Sequence, residues 1–183
     1  MSFEVVSSEK KYSGRVLALR VDHVRLGNGK EARLEIIEHH GSVVMVPVDD
    51  DGGIWLVRQY RHAAGREILE LPAGSLEPGE EPAACAGREL REEIGMAAGA
   101  LTRIGGFFLA PGYATEFMHV YLAAGLRPDK IPGDEDEVLQ PEKYSVAELR
   151  RLLEEGNMED AKTVAALAIA LPRLDALINS KNR

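Results

Sequence analysis

The chain has 183 residues, of which 45% are hydrophobic and 28% charged, and a formal net charge of −8. This size fits one compact domain with a small extra subdomain, and an acidic balance without a dense basic patch argues against nucleic acid as a partner. The chain has a single cysteine and no signal-peptide pattern, and its longest apolar run, residues 164–171, is too short to cross a bilayer. These features indicate a cytoplasmic protein without a membrane partner.

The first part of the chain predicts a small antiparallel β subdomain. Residues 15–24 are rich in β-branched side chains, residues 32–38 return as a partner strand, and Asn28-Gly29 between them is a hairpin turn signal. The hairpin has few large apolar residues and could hardly bury itself alone, so it must pack on the body of the protein or on another subunit. We therefore predict a subdomain over residues 1–40 and a main domain over residues 41–183.

Four further strands are predicted in the main domain. Residues 42–48 form a nearly continuous apolar run, as expected of a strand covered on both faces, and residues 54–60 follow as the return strand. Two more strands are expected over residues 101–109 and 117–123, and a polar loop over residues 125–140.

Two helices are predicted towards the end of the chain. Ser145 and Glu148 form a capping box that starts the first of them, which Gly156 ends, and the second runs over about residues 160–178. Strands and helices alternate without a regular βαβ rhythm. We therefore expect an α/β (α+β) fold with a mixed β-sheet sandwiched between helices.

Residues 74–96 carry an unusual density of carboxylates on another predicted helix. Pro82 suits a first helical position and Gly95 suits a helix end. Glu89 and Glu93 are four residues apart and share one face of this helix. Two carboxylates so placed repel each other unless a cation lies between them, and Mg²⁺ prefers carboxylate and water oxygens. The alternative is a charged helix face that meets only solvent.

The spacing of the whole segment favours the metal site. It resembles the Nudix box with every specified position filled, by Gly74, Glu80, Arg88, Glu89, Leu90, Glu92, Glu93, Gly95 and Met96. The chain is therefore identified as a member of the Nudix hydrolase family. This resemblance implies the Nudix fold and the hydrolysis of a nucleoside diphosphate linked to another moiety.

The resemblance also implies roles for residues of the box. The metal ligands would be the backbone carbonyl of Ala73 and the carboxylates of Glu89, Glu92 and Glu93. Arg88 would serve catalysis by orienting the carboxylates through hydrogen bonds. Two or three ions, Mg²⁺ or Mn²⁺, would polarise phosphoryl oxygens and supply an activated water, with Glu92 as a catalytic carboxylate on the same ions.

A proline after the box resembles one branch of the family. Pro111 lies 16 residues after Gly95, as in the ADP-ribose pyrophosphatases. The stretches Arg58-Gln59-Tyr60-Arg61, Glu70-Leu71-Pro72-Ala73-Gly74 and Ala110-Pro111-Gly112 resemble the same branch, in its order. This implies hydrolysis of ADP-ribose to AMP and ribose 5-phosphate. It also implies a homodimer in which the N-terminal strands of one subunit cross to the other.

The branch further implies substrate and base residues outside the box. Arg61 is the best candidate for a contact to the substrate and Arg58 the second, although either could be a surface strand arginine. The general base would be Glu137 or Glu135 of a mobile acidic loop, with Glu137 slightly preferred. The remaining predicted substrate residues are Glu70, Pro111 and Glu116, of which Glu116 could instead order a metal or the terminal ribose.

One departure from the branch concerns its substrate. The branch commonly has an arginine directly before Glu35, where this chain has Leu34, and Arg33 comes one residue earlier. On a strand, a shift of one residue sends the side chain to the opposite face. A broader pyrophosphatase of nucleoside diphosphate sugars and dinucleotides is therefore an alternative. A non-catalytic Nudix ligand sensor is the other alternative, but such proteins tend to lose box carboxylates, and here all are present.

Overall fold

A computed structural model describes residues 3–133 and 138–181 of the chain. The chain divides into two compact units. One unit comprises Met1–Gly41 and Phe107–Phe117, and the other comprises Ser42–Gly106 and Met118–Arg183. The Nudix-box segment lies in the second unit, so that unit holds the candidate active site.

The N-terminal unit contains a three-stranded antiparallel sheet. Its strands are β1 (Glu4–Ser13), β2 (Ala18–Arg25) and β3 (Glu31–Glu38), in the order β1-β2-β3. Arg25 pairs with Glu31 across the turn between β2 and β3, so the predicted hairpin is confirmed. All ten residues of β1 are exposed.

The remaining described residues build two further sheets, a short 3-10 helix and three α-helices. In chain order they are β4 (Ser42–Pro47), β5 (Ile54–Arg61), a 3-10 helix (His62–Ala64), β6 (Arg66–Glu70), β7 (Ala73–Ser75), α1 (Pro82–Glu93), β8 (Met96–Phe108), β9 (Phe117–Pro128), β10 (Leu139–Tyr144), α2 (Val146–Glu154) and α3 (Ala161–Lys181). One sheet is mixed, in the order β7-β4-β9-β8, because β4 runs parallel to β9 and antiparallel to β7. The other sheet is antiparallel, in the order β10-β5-β6.

Strand β4 forms the centre of the core and is buried at every residue, as predicted for a strand covered on both faces. Val43 and Met45 belong to an apolar cluster with residues of α1. Because side chains alternate along a strand, Val44 and Val46 point to the other side of the sheet. Helix α3 also contacts β4. The prediction of a mixed sheet between helices is confirmed.

The helices begin and end at their sequence signals. Pro82 opens α1, and Gly95, with a φ of +69°, follows its last turn in a conformation that favours glycine. In α2 the Ser145 and Glu148 side chains each accept a hydrogen bond from the other residue's backbone N–H, which confirms the capping box. Within the described residues, no helix combines the length and the apolar character needed to cross a membrane.

The polar loop predicted over residues 125–140 is wrong at both ends. Strand β9 continues to Pro128, and β10 begins at Leu139. Strand β10 lies at the edge of its sheet, next to β5, and an edge strand tolerates a proline such as Pro141. Its side chains are mostly polar, so no apolar alternation marked it as a strand.

Candidate active site

A close backbone approach joins β7 to α1. A Cβ atom on Gly74 would lie 1.9 Å from both Cδ and Oε1 of Glu89. Non-bonded carbon atoms rest about 3.5–4.0 Å apart, so no residue with a side chain fits at this position without moving Glu89. The first carboxylate of the helix therefore lies directly against the glycine that opens the box.

Glu93, one turn after Glu89, contacts the residue before that glycine. Its Oε2 accepts a hydrogen bond of 3.1 Å from the backbone N–H of Ala73. Both glutamates are buried, although they are charged residues. The fold thus brings together Ala73, Glu89 and Glu93, three of the predicted metal ligands.

Arg88 links the carboxylates of the box. Its guanidinium donates two hydrogen bonds of 3.0 Å to Glu80, one of 2.8 Å to Glu89 and one of 2.9 Å to Glu92. The hydrogen bonds to Glu80 are the main cause of the raised pKa of Arg88, and they lower the pKa of Glu80. Arg88 contacts the two glutamates that it was expected to orient. Glu80 was not among the predicted catalytic or metal-binding residues, and its place in the box was the signal for it.

The donor set of this cluster fits a hard divalent ion. Glu80, Glu89 and Glu92 share one guanidinium, so these four side chains carry a net negative charge. Carboxylate oxygens are the ligands that Mg²⁺ and Mn²⁺ prefer. In the described part of the chain, however, no three His, Cys, Asp or Glu side chains already form a metal-binding group. Arg88 contacts one oxygen each of Glu89 and Glu92, and the N–H of Ala73 contacts one oxygen of Glu93. Because a carboxylate has two oxygens, these contacts do not by themselves prevent an ion from binding.

A second charged cluster lies at the end of β6. Glu70 is 2% exposed, and its carboxylate accepts hydrogen bonds from Arg61 Nε at 2.7 Å and from Nη2 at 2.6 Å. Lys162 Nζ donates to the same carboxylate and, at 2.8 Å, to Asp160. Burial opposes ionisation of Glu70, but the contacts with Arg61 and Lys162 outweigh it, so the pKa of Glu70 lies below its ordinary value. Neither Lys162 nor Asp160 was among the predicted site residues.

The two candidate arginines lie on opposite faces of β5. They are three residues apart, and strand side chains alternate. The hydrogen bond to Glu70 is the main cause of the raised pKa of Arg61, and the charge of Glu93 adds to it, so Arg61 lies within electrostatic reach of the box. Arg58 instead binds Glu142 of β10 with hydrogen bonds of 2.7 and 3.2 Å. The fold brings Arg61, and not Arg58, together with Glu70.

The other predicted site residues belong to the N-terminal unit or lie outside the described residues. Pro111 and Glu116 belong to the N-terminal unit. The loop that contains Pro111 is held by β3, because Ile37 N donates to the carbonyl of Tyr113 at 2.8 Å. The predicted bases, Glu135 and Glu137, lie outside the described residues.

A cavity of about 210 Å³ opens beside the last turn of α1. Glu92 and Glu93 line it, together with Lys130, Leu139 and Pro141. A larger cavity of about 440 Å³ is lined by residues of β1, β2 and β3 and by none of the box. The position of the box carboxylates, rather than volume, therefore identifies the smaller cavity as part of the candidate active site.

Comparison with known proteins identifies the family of the chain. The sequence profile of the NUDIX domain matches residues 38–167. The chain belongs to the Nudix family. The ADP-ribose pyrophosphatase of Bacillus subtilis (strain 168) is similar to this Nudix chain, with 41% identity over 166 residues that cover 90% of each. The methanol dehydrogenase activator of Bacillus methanolicus is 37% identical over 166 residues, again 90% of each. A crystal structure of an ADP compounds hydrolase superposes with a TM-score of 0.86 at 27% identity, over 97% of this chain and 96% of that one.

Proposed function

We propose that this Nudix hydrolase cleaves the pyrophosphate bond of ADP-ribose to give AMP and ribose 5-phosphate. The observation that carries the proposal is the contact of Glu89 and Glu93 with the backbone of Ala73 and Gly74. It gathers buried oxygen donors beside a cavity that Glu93 also lines. The 41% identity to an ADP-ribose pyrophosphatase supports ADP-ribose as the substrate.

The metal is proposed to be Mg²⁺ or Mn²⁺, as two or three ions. Glu89, Glu92, Glu93 and the carbonyl of Ala73 would hold them. When bound, such ions polarise phosphoryl oxygens and lower the pKa of a bound water. Arg88 would keep Glu89 and Glu92 in place before the ions bind, because it already donates to both.

Arg61 is the proposed contact to a phosphate of the substrate. Its Nε and Nη2 are used by Glu70, while its side chain remains 43% exposed, so the outer edge of the guanidinium can meet an anion. Glu70 is almost fully buried, so we assign it to holding Arg61 rather than to touching the substrate itself. Arg58 remains the second candidate, and its pairing with Glu142 favours a role in joining β5 to β10.

The general base remains a prediction from the family resemblance, with Glu137 preferred over Glu135. A base on a loop can approach the attacking water when the substrate is bound and leave it otherwise. Pro111 and Glu116 likewise remain predicted substrate residues. Glu92 lines the cavity and contacts Arg88, which supports its proposed catalytic role beside the ions.

A homodimer is proposed from the exposed N-terminal residues. Phe3, Val5, Val6 and Tyr12 have exposed fractions of 45–59%. A segment that exposes several large apolar side chains is a candidate for an interface with another subunit. Sedimentation equilibrium should give twice the mass of one chain, and Val5→Glu should shift the protein towards the monomer.

A cytoplasmic location is proposed as well, supported by the single cysteine, Cys85, which is buried and unpaired by any disulfide.

A broader pyrophosphatase is the second candidate function. On β3, Arg33 is exposed and Leu34 half-buried, so the two side chains point to different faces of that strand. Arg33 therefore does not take the place of the arginine that the branch commonly has at the position of Leu34. This observation favours a substrate range wider than ADP-ribose.

The deciding experiment is a substrate panel at fixed Mg²⁺. Phosphate release, coupled through a phosphatase, would be measured for ADP-ribose, ADP-glucose, GDP-mannose, NADH and a diadenosine polyphosphate. We expect ADP-ribose to exceed the others in kcat/KM by about tenfold or more, which corresponds to about 1.4 kcal/mol. Similar rates for several sugar nucleotides would favour the broader enzyme.

The matched control in this panel is Glu93→Gln. It keeps the size of the side chain but removes a proposed metal ligand, so the rate should fall by about 100-fold or more while the protein stays folded. Unchanged turnover in this variant would contradict the metal-dependent mechanism. Binding of ADP-ribose without turnover in the unmodified protein would favour the ligand sensor.

A further inference from the structure

The first turn of α3 is tied to the chain segment that leads into the box. Asp160 lies just before α3, and its Oδ2 accepts hydrogen bonds from Thr163 N at 3.0 Å and from Thr163 Oγ1 at 2.6 Å, an N-cap arrangement. Thr163 Oγ1 in turn accepts a hydrogen bond of 2.8 Å from the backbone N–H of Leu71. The start of α3 and the residues directly before Ala73 are therefore one hydrogen-bonded structure.

Lys162 lies in the middle of this structure, between two carboxylates. Its Nζ donates to Glu70 Oε2 and to Asp160 Oδ2. The Lys162 side chain is 9% exposed and that of Glu70 is 2% exposed. A carboxylate buried to this degree needs a partner, because desolvation of an unpaired charge is costly. Lys162 and Arg61 together supply the positive charge that Glu70 requires.

The geometry of Glu70 transmits the position of Lys162 to Arg61. Glu70 Oε1 accepts from Arg61 Nε, and Oε2 accepts from both Arg61 Nη2 and Lys162 Nζ. Two parallel hydrogen bonds fix a guanidinium in the plane of its carboxylate. Any rotation of that carboxylate would turn the guanidinium with it. Lys162 restrains this rotation, because it holds Oε2 from the side of α3.

We propose that Lys162 is a positioning residue for substrate binding, which acts through Glu70 to aim the Arg61 guanidinium at a phosphate of the substrate. Lys162 is itself too deeply buried to reach a bound nucleotide. The inference rests on the proposed function, in which Arg61 contacts the diphosphate. It adds a residue on a different element, α3, to the substrate-binding machinery.

A double-mutant cycle between Lys162 and Arg61 tests the proposal. The proteins compared are the unmodified chain, Lys162→Met, Arg61→Gln and the combination, each assayed for kcat and KM with ADP-ribose and for ADP-ribose affinity by calorimetry in EDTA. We expect Lys162→Met to raise KM and Kd by about tenfold, the size of one charge-assisted hydrogen bond. Because Arg61 serves ground state and transition state alike, kcat should change much less. In the Arg61→Gln background, Lys162→Met should have almost no further effect.

Three further variants separate positioning from folding. Lys162→Arg keeps the positive charge and should restore most of the affinity, whereas Lys143→Met removes a lysine that pairs with Asp49 and Asp51 and should leave KM unchanged. If Lys162→Met does not fold, the double variant Glu70→Gln/Lys162→Met, which removes both buried charges, takes the place of Lys162→Met in the cycle. That protein should bind ADP-ribose as weakly as Arg61→Gln.

The outcomes distinguish the inference from the proposed function. Equal losses from Lys162→Met in both backgrounds, or a loss confined to kcat, would overturn the positioning role while the unmodified enzyme still hydrolyses ADP-ribose. Failure of the unmodified protein to bind and hydrolyse ADP-ribose would overturn the proposed function itself and, with it, the role of Lys162.

Discussion

Replacing Gly74 by alanine is expected to damage catalysis more than stability. The added methyl group would lie 1.9 Å from Cδ and Oε1 of Glu89, so the two groups must separate by roughly 2 Å to reach contact distance. The overlapped atoms are the end of a flexible side chain, so Glu89 can rotate away at a cost of about 1–3 kcal/mol. That rotation breaks its 2.8 Å hydrogen bond from Arg88 and withdraws it from the box. Since a misplacement of about 1 Å can cost about 100-fold in rate, kcat/KM should fall at least that far.

Gly87→Ala is the matched control for this substitution. Gly87 lies within α1, and among the described residues a Cβ atom there would meet only Leu101 Cδ1, at 3.7 Å, an ordinary contact. Alanine in a helix interior is more stable than glycine by about 0.5–1 kcal/mol, so this variant should unfold at slightly higher urea concentration with unchanged kcat/KM. Urea unfolding and initial rates with ADP-ribose measure both quantities. A folded Gly74→Ala protein with the kcat/KM of the unmodified enzyme would refute the need for Glu89 at its observed place.

The remaining predictions concern pH, helix capping and the metal. Arg88 lowers the pKa of Glu80, and the contacts with Arg61 and Lys162 lower the pKa of Glu70 against the effect of its burial. The stability that both ionised groups contribute is therefore complete above the unfolded-state pKa of about 4.3 and is lost as the pH falls through the lower folded-state pKa values. Urea titrations should show a free energy of unfolding that decreases below about pH 4.3, and a flat profile would contradict this. Ser145→Ala should lower the free energy of unfolding by about 1 kcal/mol, because the capping box is lost, without changing kcat/KM. Mg²⁺ should raise the Tm of the unmodified protein, measured by fluorimetry, much more than the Tm of Glu93→Gln. An equal rise in Tm in the two proteins would argue against Glu93 as a ligand. EDTA should abolish turnover.

Local signals in the sequence predict helix α1, which carries Glu89, Glu92 and Glu93. The elements that were missed, among them strand β7 with Gly74, depend on contacts with distant parts of the chain. Pro82 and Gly95 bound α1 as predicted, because capping depends on residues close in sequence. Strand β10 was missed because its partner is β5, far earlier in the chain, and its own side chains do not alternate clearly. Lys162 was missed for the same reason, since Glu70 lies 92 residues away from it. A pattern along the chain cannot show which charges meet in space.

The buried charges around the site are better explained by placement than by stability. Removing an ion pair from water costs energy that the attraction between the charges does not always return, and apolar residues of similar volume are often as stabilising or more so. The Glu70–Lys162 pair, at 2% and 9% exposure, is therefore a weak source of stability. An apolar pair, however, could not hold Arg61 by two parallel hydrogen bonds. Arg88 likewise fixes carboxylates that would otherwise repel one another. Both networks hold charged groups of the proposed site in place before substrate and metal arrive, which is the condition for binding them without reorganising the protein.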